Sequence, residues 1–138
     1  MLTRIKIFIA FLVLIFPMMS HALCVSPTSL NGVWKANDGG TYYMSQRGNT
    51  VWWVGMSSDN GKTWTNVYKG QRQGNYVYGQ WADVPRGKIL SGGTLNLYID
   101  ATPQGYIRGV SRAYVTGGFG GSSWFKDCQD VVLNPVPG

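Results

Sequence analysis

Beyond residue 22 the apolar residues either alternate with polar ones or cluster in short runs, and Gly, Asn, Asp and Pro separate the runs. Alternation with a period of two marks a strand with one buried face, and no stretch carries the 3.6-residue period of a helix. The pattern predicts eight strands, at 30–35, 41–47, 50–57, 63–70, 75–83, 93–100, 106–114 and 122–126. The links are short and rich in turn formers: Gly48-Asn49, then 71–74, then 101–105 with Pro103, then Gly117-Gly118 before the last strand. Only 84–92, with Pro85-Arg86-Gly87, reads as a longer connection.

Short links between successive strands predict an antiparallel meander, and one this long either splits into two sheets or closes on itself. An even strand count favours closure. So do the glycines that interrupt the strands (Gly32, Gly55, Gly79, Gly109, Gly120, Gly121), since tight coiling needs them. A sandwich would show cleaner alternation with one polar face, whereas Trp52-Trp53 puts an indole on each face of strand three. The fold class expected is all-β, an eight-stranded antiparallel up-and-down barrel, with a β-sandwich as the alternative.

Register can be read on strand four. Lys69 must face water, so Val67 and Thr65 share its outer face, and Trp64, Asn66 and Tyr68 turn inward. Six Trp and eight Tyr lie beyond residue 22, interleaved with amides and hydroxyls rather than charges. Rings with amide neighbours suit a ligand that is stacked on its face and hydrogen-bonded at its edge, although a small barrel also fills its own interior with rings. The candidate binding residues are Trp64, Asn66 and Tyr68, joined by Tyr43, Trp53, Trp81 and Trp124 on pattern alone.

The first residues change the picture of where this barrel works. Arg4 and Lys6 precede an apolar run over 7–16, Pro17 breaks it, and Ser20-His21-Ala22 places small residues at the positions a signal peptidase needs. The chain is therefore expected to comprise a signal peptide, 1–22, and one domain, 23–138, secreted or periplasmic, with no transmembrane segment after cleavage. Leu23 stands before Cys24 where a lipoprotein signal has a small residue, which favours simple cleavage. Loss of Arg4 and Lys6 leaves ten basic residues against six Asp, a net charge of about +4. Those basic residues are scattered without a run or stripe, which argues against nucleic acid as a partner. Cys24 and Cys128, near the two ends of the exported chain, are expected to pair. A loop of about a hundred residues is worth about 4–5 kcal/mol in the chain-entropy account.

Three local motifs carry resemblances. Leu30-Asn31-Gly32-Val33-Trp34 opens the first strand, and a Gly-x-Trp there in a small exported barrel resembles the lipocalin and avidin-like proteins. That resemblance implies tight coiling at Gly32 and an indole at Trp34 plugging one end. It does not extend to biotin, because the stretch after Trp34, Lys35 to Gly40, lacks the avidin spacing of Asn and Ser ligands. Ser57-Ser58-Asp59-Asn60-Gly61-Lys62-Thr63-Trp64 resembles the Asp-box hairpin of sialidase propellers and other secreted β proteins. Its Asp accepts turn N–H groups and its Trp packs beneath the hairpin, so a structural role is expected. As a set, Asp38-Gly39-Gly40-Thr41-Tyr42-Tyr43, Gly48-Asn49, Val51-Trp52-Trp53, Asn66-Val67-Tyr68 and Trp81 to Gly87 resemble an uncharacterised module of exported and multi-domain bacterial proteins. In this chain Asp83 and Arg86 flank a proline turn, and on that ground they are expected to pair across the long loop.

Chemistry is bounded by what is missing. The only His is His21, inside the expected signal peptide, and the six acidic residues are all Asp. A Ser-His-Asp triad, a His-based metal site and a two-Glu glycosidase are thereby unavailable. The expectation is a protein that is not an enzyme and uses no metal or cofactor. It would recognise a small apolar-faced molecule or a glycan, with a protein-binding role through surface aromatics as the alternative. An aromatic-lined open cavity would favour the first and a plugged interior the second. Two carboxylates converging on one pocket would keep catalysis open.

Overall fold

The computed structural model describes residues 27–127. Eight strands follow in order: β1 (Gly32–Ala36), β2 (Thr41–Arg47), β3 (Thr50–Met56), β4 (Thr65–Gln73), β5 (Tyr76–Asp83), β6 (Gly92–Ala101), β7 (Ile107–Val115) and β8 (Ser123–Lys126). Each pairs antiparallel with its neighbour and β8 pairs with β1, so the sheet is a closed up-and-down barrel. The sandwich alternative is thereby excluded. Closure satisfies both edges of the sheet and leaves no strand open to an intruding chain.

Local pattern placed most strand ends to within one or two residues. The exceptions are instructive. β4 runs on through Gln71-Arg72-Gln73, which was expected to be a link, because these residues pair with Tyr78, Val77 and Tyr76 of β5. Gly120 and Gly121 lie in the link before β8 rather than within a strand. Gly32 does sit where a side chain would fail: its φ is +123°, and the Lys126 ammonium occupies the place of a Cβ.

In an up-and-down barrel alternate links emerge at the same end. One end carries 48–49, 74–75 and 102–106. The segment before β1 crosses this end and closes it: the Ile107 N–H donates to the Pro27 carbonyl (2.7 Å), and the Leu30 N–H donates to Gln46 Oε1 (3.0 Å). Leu30 and Trp34 are fully buried, and the Trp34 indole N–H donates to the Leu30 carbonyl (3.0 Å). The other end carries 37–40, 57–64, 84–91 and 116–122, which include the three longest links. Only one of those, 84–92, was legible as long in the sequence.

The strand-four register holds. Asn66 and Tyr68 are buried, while Val67 and Lys69 are exposed. Thr65 departs from expectation: it is buried under the 57–64 link, where its hydroxyl donates to the Gly61 carbonyl (2.9 Å). The interior is filled with the chain's own rings. Trp53, Tyr68 and Trp81 are direct partners across β3, β4 and β5, and Trp53 stacks on Tyr68 at 4.3 Å between ring centroids. Trp124, Tyr42 and Phe119 complete the packing. The barrel is a packed core, and Leu95, Leu97 and Ile99 line its β6 wall.

Residues 1–22, Cys24 and Cys128 lie outside the described residues, and with them the expected signal peptide and the expected Cys24–Cys128 pairing. Among the described residues no helix is long and apolar enough to cross a membrane.

Candidate functional site at the long-link end

The Asp-box forms one wall of this end, and its hydrogen bonds explain each position of the motif. Asp59 accepts from the Ser57 hydroxyl (2.5 Å), the Thr63 hydroxyl (2.6 Å) and the Thr63 N–H (3.2 Å). Ser57 Oγ in turn accepts from the Trp64 N–H (3.2 Å), and Asn60 and Gly61 take positive φ values of 62° and 82°. These donors hold the Asp59 carboxyl well below its ordinary value of 3.8. A folded pKa below the unfolded one adds stability above the unfolded value, and that gain disappears as pH falls through and below it. Wild-type protein should therefore lose melting temperature more steeply than Asp59→Ala below about pH 5. At neutral pH the variant should already melt lower. Parallel melting curves across pH 7 to 3 for the two proteins would disprove the assignment.

Trp64, placed by the Asp-box, borders a cavity of about 180 Å³ at the barrel mouth, lined also by Asp38, Asn66, Trp81, Asp83, Ile89 and Phe119 with Gly118 and Gly120. Strand register explains how these meet. Tyr42, Gly55, Asn66 and Asp83 are successive partners across β2 to β5, one step nearer the mouth than the Trp53–Tyr68–Trp81 row. Gly55 has no side chain because the Tyr42 ring and Asn66 Oδ1 fill its place: a Cβ there would meet them at 2.6 and 2.7 Å. Phe119 enters from the glycine-rich 116–122 link and lies 5.0 Å from the Trp81 ring, edge to face. That link is pinned by the Trp81 indole N–H donating to the Thr116 carbonyl (3.0 Å) and by Arg112 donating to the Phe119 carbonyl (2.9 Å).

Polar groups around the cavity are fixed by the chain. Asp38 accepts from the Gly40 N–H on one oxygen (2.7 Å) and from the Tyr42 hydroxyl on the other (2.5 Å). Burial, then the neighbouring Asp38, pushes the Tyr42 phenol far above its usual range, so it stays a donor. Asp83 accepts the Ser91 N–H on one oxygen (3.0 Å) and has no partner for the other among the described residues. Its pKa is raised because it is partly desolvated. The expected Asp83–Arg86 pair does not form. Arg86 donates instead to the Asn60 carbonyl (2.6 Å), bracing the Asp-box, and Asp83 ties its link through Ser91. Asn66 is 3% exposed, and its Oδ1 accepts the Trp53 indole N–H (2.9 Å). No three His, Cys, Asp or Glu side chains gather among the described residues, so Asp38 and Asp83 have no third acidic, His or Cys ligand for a metal.

Of the residues singled out from the sequence, Trp64, Asn66 and Trp81 line this cavity. Trp53, Tyr68 and Trp124 lie behind it in the core. Trp124 Nε1 is buried there with no hydrogen-bond partner among the described residues. Tyr43 does not belong with them: it is 50% exposed on the outer wall. Inward-facing Trp34 pairs directly with Tyr42, so Tyr42 turns in and Tyr43 turns out. The signal was present in the sequence, because Tyr43 shares its face with Arg47. Asp38, Asp83, Ile89 and Phe119 were missed. Asp83 alone was recoverable, lying two residues beyond Trp81 on the same face; the others sit in links that carry no period. Compared with known proteins, the chain matches no family, no curated protein and no solved structure, so the likeness to lipocalins and avidins rests on the closed eight-stranded barrel alone.

Proposed function

We infer that this is a non-enzymatic, exported binding protein of calycin-like architecture that takes a small apolar-faced molecule, or one sugar unit of a glycan, at the long-link end. The observation that carries this reading is the cavity bounded by Trp64, Trp81 and Phe119 with acceptors at its rim. A volume of about 180 Å³ suits one ring, since a cavity of ~150 Å³ holds benzene. The barrel interior is not offered as the site, because its own side chains pack it. Two Asp border the cavity, as carboxylate catalysis requires. Binding is the better reading because both Asp38 oxygens are already engaged as acceptors by Gly40 and Tyr42.

Gly120 offers a clean test. It borders the cavity, and a Cβ added there meets nothing within 4 Å. Gly120→Leu should fill the cavity while leaving the melting temperature within about 2 °C of wild type. The probes would be phenol and methyl glycosides, followed by tryptophan fluorescence and indole N–H shifts. Wild type should respond at Trp64 and Trp81, and the variant should not. A response that survives Gly120→Leu would place binding elsewhere.

One observation favours a protein partner as the second reading. Tyr43, Val54 and Val67 are direct partners on the outer wall, at 50, 38 and 37% exposure, with Trp52 beside them at 38%. Such a patch on a wall beside a packed interior suits a flat protein surface. Under that reading Trp52→Gln, and not Gly120→Leu, removes binding.

A further inference from the structure

We propose that the cavity at the long-link end selects an organic cation, an alkylammonium group, whose charge lies between Asp38 and Asp83 and whose carbon shell rests on Trp64, Trp81 and Phe119. This rests on the small-molecule reading above and names its ligand class. The chain carries twelve Lys and Arg against six acidic residues, yet the side chains that border this cavity include two Asp and no base. Neither Asp takes part in a salt bridge among the described residues, where the pair formed is Lys35 with Asp127. Arg86, on the link that follows Asp83, is turned to the Asn60 carbonyl.

Two carboxylates at an apolar mouth repel an anion and leave a neutral guest facing unmatched charge. A small metal ion needs more ligands than two carboxylates and keeps its water, which ring faces cannot replace. An alkylammonium ion meets both demands. With its nitrogen fully alkylated it is weakly hydrated, neutralises the rim, and is drawn to the negative faces of indole and phenyl rings. Asp38 is held in place by Gly40 and Tyr42, and Asp83 by Ser91, so neither must reorganise to receive the charge. Asp83 also keeps one oxygen free of partners among the described residues, and that oxygen is the natural contact for the cation.

The test uses the full exported chain with choline and its neutral isostere 3,3-dimethylbutan-1-ol, followed by tryptophan fluorescence and indole N–H shifts. Choline should bind about tenfold tighter than the isostere. Asp83→Asn keeps an acceptor for the Ser91 N–H and should reduce choline to the affinity of the isostere, whose own binding stays unchanged. Equal binding of the two probes to wild type, or unaltered choline binding by Asp83→Asn, overturns the proposal while the cavity survives as a binding site. If neither probe moves Trp64 or Trp81 while phenol or a methyl glycoside does, the cation proposal falls and the small-molecule reading stands; if none of these probes does, both fall. If the fluorescence response is retained in Gly120→Leu, choline sits outside the cavity and the proposal is equally lost.

Discussion

Trp53→Ala is expected to abolish the folded barrel, or to leave it melting far below wild type. Trp53 is 2% exposed and lies within 4.3 to 6.1 Å, centroid to centroid, of Tyr68, Tyr42, Trp124 and Phe119. Tyr42 and Phe119 each meet four rings as well, but Trp53 is the largest side chain of the three and reaches across the lumen to Trp124 of β8. Removing an indole from a packed core costs about 3–5 kcal/mol, the lost transfer energy plus a cavity that rigid neighbours cannot fill. A domain of this size commands only about 5–15 kcal/mol in total. Far-UV circular dichroism against temperature is the measurement. A shift of less than about 5 °C would show that the ring cluster is looser than its geometry implies.

Asn66→Leu carries the second large effect, and here the structure separates two outcomes that the sequence left open. If Asn66 served only a ligand, leucine would cost binding and spare stability. Its Oδ1, however, accepts the Trp53 indole N–H in the core, and leucine of similar size would leave that donor buried without a partner. The expected cost is about 1–3 kcal/mol. The diagnostic is a double-mutant cycle. Trp53→Phe removes the orphaned donor, so Asn66→Leu should be markedly less costly in the Trp53→Phe background than in wild type. Strictly additive losses in the cycle would mean that the hydrogen bond contributes nothing, and would return Asn66 to the ligand.

These two residues also show how far the sequence reaches. The inward turn of Asn66 was legible from Lys69 three positions along, because a strand alternates faces and an ammonium does not enter a small apolar barrel. Its bond to Trp53 was not legible, since it joins β3 to β4 across a register that no local pattern reports. The same division runs through the site. Trp64 and Trp81 could be marked as inward rings, and the Asp-box bonds could be foreseen almost atom by atom because they close within one turn. Phe119 could not, since the glycines around it carry no facing signal. Tyr43 was misplaced although Arg47, on the same strand and the same face, already indicated the outside.

By itself the sequence determined the all-β class, the number and order of the strands, the antiparallel meander and the facing of β4. All of these follow from a two-residue period and from turn chemistry, which act between neighbours in the chain. Tertiary structure alone decided that the interior is packed, that the segment before β1 stoppers one end, and that the three longest links crowd the other. It also decided that Asp38 and Asp83, far apart in the chain and each ordinary at a strand end, face one cavity. The reason is closure. Once β8 bonds to β1, every link and every strand end is assigned to one of two rims by the stagger of the whole barrel, and that stagger is a property of all eight strands together.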